Sequence, residues 1–284
     1  MNQINSLSSF IIQKIIERFF FTFLLLLITN NINAQNSFKG IKQINAKTYS
    51  QGKNIKEYLS EELNSYFDGD GKRTGWKNTI FDSSGKIVKI EEKKYENGKE
   101  ITETVYNPDQ TIIKNTITEF SKNGNIKNIN TYNSDQKLVG QSVYKKFDNQ
   151  GNALKIVEFD SKGKVGLTYQ YIYENSKKKY KNYFSNDKVI NWLEKYIYGT
   201  EGKLTEIQTM DINKKTLLFS KKYNEKELLT EEKTFAGNFI VVSIVYSYLY
   251  DDKGTWIERK QNNETKGSSN IVIEETVKRT IDYY

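Results

Sequence analysis

The chain has 284 residues, a formal charge of +8, one Pro, no His and no Cys. Without imidazole or thiol, His-based triads, thiol nucleophiles, disulfides and typical zinc sites are excluded. Its Lys residues alternate with Glu instead of forming a basic patch, so no nucleic-acid partner is expected.

Residues 1–34 read as a signal peptide, a short helix in form. Lys14 and Arg18 supply the positive start, Phe19 to Ile28 the apolar stretch, and Ile32-Asn33-Ala34 a cleavage site. The apolar run is about half the roughly 20 residues a spanning helix needs. The protein is therefore expected to be exported, to the periplasm or the cell surface. Membrane contact is expected only through an uncleaved signal segment.

Residues 35–66 form an atypical first hairpin or capping segment, with strands over Ile41 to Tyr49 and Tyr58 to Tyr66. A short helix over Ile55 to Tyr66 is the alternative, because Leu59 and Leu63 stand at i, i+4.

From residue 67 to 284 one signal dominates: an aromatic residue, Asp or Asn, two variable residues, then Gly and Lys or Asn. Clear copies pair Asp82 with Gly85, Asp148 with Gly151, Asp160 with Gly163, and Asp252 with Gly254 after Tyr250. Anchors fall 11 to 15 residues apart, and successive pairs sum to 25 to 27, so the unit is two elements. Asp or Asn bonds its own downstream backbone and Gly supplies a positive φ, which together close a hairpin loop. These residues are read as structural turns. Asp68-x-Asp70-Gly71 has the opening spacing of a calcium loop, but Thr79 stands where that loop needs Glu.

Between the turns, residues alternate with period two. Val165, Leu167, Tyr169, Tyr171 and Tyr173 share a face, as do Ile190, Trp192, Tyr196 and Tyr198, and then Ile271, Ile273 and Val277. Phe239 to Tyr250 is apolar on both faces, which predicts a strand covered on both sides. Pro108, inside a predicted turn, costs no ladder bond. The fold class is all-β: an antiparallel meander of about 15 to 17 short strands in a curled sheet or open β-shell. Whether the sheet stays open, closes or winds into a superhelix is not written in the turns.

On these turns, notably Phe81-Asp82-x-x-Gly85, Phe147-Asp148-x-x-Gly151 and Phe159-Asp160-x-x-Gly163, the array resembles the YD repeats of Rhs-type and teneurin-like proteins. That resemblance implies a spiralling β-shell, which in some members encloses a toxin. This chain is too short to enclose a passenger. The two-strand period is also similar to MORN-type repeats, though their Gly-rich cores are missing.

The candidate binding residues are Tyr169, Tyr171, Tyr173, Trp192, Tyr196 and Tyr198, whose rings can stack on sugars or peptide side chains or can be packing alone. No cofactor or catalytic residue is expected. The expected function is a non-enzymatic binding or structural module of the cell envelope whose partner is an envelope protein or a glycan. An outer-membrane β-barrel is the alternative and a carboxylate-dependent hydrolase the third reading.

Overall fold

A computed structural model describes residues 38–52, 55–186, 190–263 and 274–283. The expected signal peptide lies outside these residues, as do Ile271 and Ile273. The described residues form eighteen strands: β1 Ile41–Gly52, β2 Ile55–Phe67, β3 Arg73–Phe81, β4 Ile87–Glu96, β5 Lys99–Tyr106, β6 Ile112–Phe120, β7 Ile126–Asn133, β8 Leu138–Phe147 and β9 Ala153–Asp160, continued by β10 Val165–Glu174, β11 Lys177–Ser185, β12 Asn191–Tyr198, β13 Leu204–Asp211, β14 Thr216–Tyr223, β15 Leu229–Ala236, β16 Phe239–Tyr250, β17 Trp256–Asn263 and β18 Glu274–Tyr283.

Each strand pairs antiparallel with the next, and β1 pairs with β18 from Ile41↔Tyr283 to Gln51↔Glu274. The meander is as expected, but the sheet closes into a barrel, and eighteen strands replace the predicted 15 to 17. Closure satisfies the two edges that an open sheet of this length would leave unpaired. The helix considered over Ile55 to Tyr66 is instead β2, because Leu63 and Ser65 pair with Ala46 and Ile44 of β1.

The turns follow their chemistry. Asp82 N–H donates to Lys86 O and Gly85 N–H to Asp82 O, and the Asp82 carboxylate accepts from the N–H groups of Ser84 and Lys86. Asp148 and Asp160 act alike, with Gly85, Gly151 and Gly163 at φ of 81°, 82° and 74°. Near Gly254 a correction applies: the carboxylate that holds this turn is Asp251, which accepts from Lys253 and Thr255, and not Asp252. Its position directly after the anchor Tyr250 matches that of Asp82 after Phe81. The Asp68 carboxylate is likewise taken up by the N–H groups of Asp70 and Lys72.

A register shift accompanies most of these turns. Ile80 faces Lys89 and Phe81 faces Ile87, so Val88 is the extra residue of a bulge and turns outward, 44% exposed. Ile113, Val139 and Ile257 occupy the same position in later hairpins and are exposed for the same reason.

Alternation also explains the two-element unit. Anchors at one end of the barrel, such as Phe67, Tyr95, Phe120, Tyr173, Tyr198 and Tyr250, fall on the face that carries Trp76 and Tyr183. Anchors at the other end, such as Phe81, Tyr106, Tyr132 and Phe159, fall on the opposite face. At the first end a Lys from one hairpin crosses to the next. Lys99, Lys177 and Lys226 donate to Gly124, Gly202 and Gly254 carbonyls 25, 25 and 28 residues on, each above the ring of Phe120, Tyr198 or Tyr250.

Most buried residues share one face, with Trp76, Asn78, Glu91, Lys93, Tyr183, Thr209, Asp211, Tyr246, Arg259, Gln261 and Val277, and this is the inner one; fewer are buried on the opposite face, among them Asn130, Val157 and Thr168. Strand β16 departs from its prediction. Ile244 and Tyr246 are buried inside, but Leu249 is 58% exposed, so no second layer covers it. Its apolar end, Phe239 to Val241, is also exposed.

Following directly opposed residues once round the wall returns to β1 roughly 16 residues along. For eighteen strands with that stagger, a circular section is roughly 30 Å across. Facing sheets whose side chains interlock lie only about 10 Å apart, so a circular section of that width leaves a lumen between the walls.

Candidate functional site: the aromatic wall of the lumen

The inner face of β8 to β16 carries a nearly continuous run of rings and charges. On β10, Tyr169, Tyr171 and Tyr173 point inward, and on β12 Trp192 and Tyr196 do the same, with Tyr198 at the rim. The six residues nominated from sequence are therefore brought together on strands separated only by β11. All six are half-buried.

Register places Tyr169 opposite Tyr183, Tyr183 opposite Trp192, and Trp192 opposite Asp211. Tyr183 meets Trp192 edge-on at 5.4 Å, and Trp192 meets Phe219 at 6.3 Å across β13. A belt of rings thus crosses five strands, each pair in a favourable tilted geometry.

Below this belt lies a polar row that the sequence reading missed. Tyr169 hydroxyl donates to Glu158 (3.0 Å), Tyr196 to Glu194 (2.8 Å) and Tyr246 to Glu232 (2.7 Å). Lys181 lies 3.8 Å from Glu194, and Lys221 lies 3.1 Å from Glu232. Lys181 also lies 4.9 Å from the Tyr169 ring centroid and 5.0 Å from that of Tyr183. Burial, and then the neighbouring carboxylates, push the Tyr169, Tyr196 and Tyr246 phenols far above their ordinary range, so they stay protonated donors. Burial raises the Glu158 carboxyl and lowers the Lys178 and Lys221 ammonium groups. The signal for these residues was present: Glu194 sits between Trp192 and Tyr196 in the same period-two stripe.

At the rim, Tyr173 hydroxyl donates to Ala153 O and Tyr198 hydroxyl to Lys178 O, tying neighbouring strands together. These two rings serve the wall as well as facing the lumen.

The opposite stretch, β17 through β5, is charged with few rings. Lys93 bridges Glu100 (2.8 Å) and Glu103 (3.5 Å) over the ring of Trp76, and Lys89 pairs with Glu91 at 2.9 Å. Burial, with help from Glu275 and Glu91, pushes the Glu61 carboxyl from its ordinary 4.5 up to about 7. The folded chain thus holds this proton more tightly than the unfolded one. Stability from Glu61 is complete below about pH 4.5 and is lost as pH rises through 7. Replacing Glu61 with Gln is expected to remove that loss, on the order of 2 kcal/mol above pH 8. Thermal melts at pH 5 and pH 8.5 check it: the gap between them should shrink in E61Q.

No family model matches the chain, and no curated protein matches it. Among solved structures, it is similar to a porin-like protein from Bacteroides uniformis, with TM-score 0.44 and 11% identity over 86% of this chain and 98% of that one. It is also similar to a LolA superfamily protein from Nitrosomonas europaea, with TM-score 0.29 and 8% identity over 89% and 91%. A third is a DUF1329 family protein from Desulfovibrio piger, with TM-score 0.23 and 11% identity over 88% and 89%.

Proposed function

We propose that this chain is an exported, non-enzymatic barrel that binds an elongated polar ligand, a glycan strand of the cell envelope, along the aromatic wall of its lumen. The observation that carries this reading is the shared inner placement of Tyr169, Tyr171, Trp192 and Tyr196 beside Glu158, Lys181 and Glu194. Flat rings offer faces to sugar rings, and the alternating carboxylates and ammonium groups match hydroxyls that both donate and accept. The inner carboxylates Glu158, Glu194 and Glu232 are each engaged by a tyrosine hydroxyl, which favours recognition over acid–base chemistry.

The alternative of an outer-membrane barrel is disfavoured by the outer face. There Lys77 pairs with Glu92, Gln43 and Asn45 bond Asn64, and Asn128 and Asn130 bond Glu119. A lipid-facing band must instead be apolar over most strands.

Titration of the purified protein with envelope-derived oligosaccharides, followed by tryptophan fluorescence, tests the proposal. A saturable change is expected, weakened about tenfold by Trp192→Ala, in line with about 1.4 kcal/mol for one lost stack. Absence of saturation with neutral, acidic and amino oligosaccharides alike would overturn the proposal.

A further inference from the structure

The charged stretch of the lumen holds a group of residues that the wall itself does not balance. Glu61 of β2 lies opposite Ile80 of β3, one step diagonal from Asn78, which lies opposite Leu63. Asn78 is 3% exposed; its amide donates to Glu91 at 3.4 Å, while its carbonyl oxygen Oδ1 has no partner. A buried amide oxygen left without a donor is costly unless something outside the wall supplies one.

Across β1, Glu275 of β18 faces Ser50, and Thr48 faces Glu61 on one side and Val277 on the other. Glu61 and Glu275 are half-buried and face the lumen, and no ion pair reaches either from a described residue. The charged groups that face them are Lys89 and Glu91 on β4 and Arg259 on β17. Lys89 is committed to Glu91 at 2.9 Å. Lys89 and Arg259 both act on Glu61, and Arg259 acts on Glu275, so with every carboxylate ionised the five groups sum to one negative charge. Next along the wall, Lys93 is committed to Glu100 and Glu103, and Tyr246 to Glu232.

We infer that this patch is the site of an organic monocation, the ammonium group of a lumen ligand, held by Glu61 and by Asn78 Oδ1 with Glu275 supplying the second negative charge. An ammonium carries three donors and one positive charge, which answers both the orphan acceptor and the unbalanced carboxylate. A metal ion does not suit the patch: among the described residues no three carboxylates gather closely enough to hold one. A proton is the natural competitor, since Glu61 takes one up near pH 7.

This inference rests on the lumen being the binding site and narrows its ligand to one with an amine, such as a glycan with unacetylated amino sugars. The test uses n-butylamine as probe with n-butanol as the neutral control, titrated into the purified protein on a pH-stat. Amine binding should release about half a proton per bound molecule at pH 7 and almost none at pH 9, because Glu61 is half-protonated only near its own pKa. Glu61→Gln should abolish that release and weaken amine binding at least about tenfold, and Asn78→Leu should weaken binding without changing proton release.

Equal binding of amine and alcohol would overturn the inference, as would amine binding without proton release. The same preparation is titrated in parallel with neutral oligosaccharides. If these bind and the amine does not, the cation site alone fails. If neither binds, the lumen reading fails with it. If only the amine binds, the cation site stands and the ligand is an amine without a sugar.

Discussion

Removal of β18, by truncation before residue 274, is expected to abolish the native state. Among the described residues this strand alone joins the two ends of the meander, pairing with β1 along ten positions and with β17 from Glu258↔Lys278 to Gln261↔Glu275. Without it, β1 and β17 become bare edges beside a lumen built around charges, and unpaired edges recruit other chains. Thr48 and Arg259, which lie opposite the buried Val277, would lose that cover and face water. The loss should exceed about 4 kcal/mol, seen as soluble aggregates on size exclusion and loss of a cooperative melt. A single change tests the same seam without altering length. Thr276→Pro lies between Tyr49 and Lys260, and it removes one ladder donor from an interior strand, costing about 3 kcal/mol. Addition of a peptide spanning residues 274–284 to the truncated chain should restore the melt by strand complementation. A truncated chain that stays monomeric and melts like the full one would show that closure contributes little.

The dependence on β18 also marks where the sequence stops being informative. Asp and Gly spacing reports hairpins because the turn bonds are local, running from Asp82 to Ser84 and Lys86 and no further. The pairing of Ile44 with Ile281 links residues more than two hundred apart with no turn between them, and nothing local encodes it. Stagger around the barrel is equally invisible, since it accumulates from many small register choices. The period-two stripe through Tyr169, Tyr171 and Tyr173 was legible, but its direction was not. In most β folds polarity separates inside from outside. Here the inner face has Glu194, Lys181 and Arg259 and the outer face Lys77, Glu92 and Asn64, so both read as polar. The lumen's carboxylates were passed over for that reason, although Glu158 and Glu194 follow the same parity as the tyrosines. The double-sided apolar character of β16 misled in the opposite sense. Its outward residues include bulge and rim positions, which solvent reaches freely.

The second large effect is expected at Lys93. This residue is 6% exposed, donates to Glu100 at 2.8 Å, lies 3.5 Å from Glu103, and rests over Trp76. Lys93→Met keeps most of the buried stem and its contact with the indole but leaves two carboxylates facing each other. Among the described residues only Glu103 retains a cation, Lys114 at 3.5 Å, on a side chain that is itself 42% exposed. Breaking a buried pair by removing one partner costs about 3 kcal/mol or more, chiefly through the charge left behind. Urea melts of K93M should show that loss, and the further changes E100Q and E103Q in the same chain should recover most of it, because they remove the stranded charges. Lys93→Arg keeps the charge and should cost much less. The size of the K93M effect also measures the lumen itself. A loss near 3 kcal/mol means that wall atoms, not water, surround the pair. A loss below about 1 kcal/mol is what a solvated ion pair gives, and would put mobile water against the wall at Lys93.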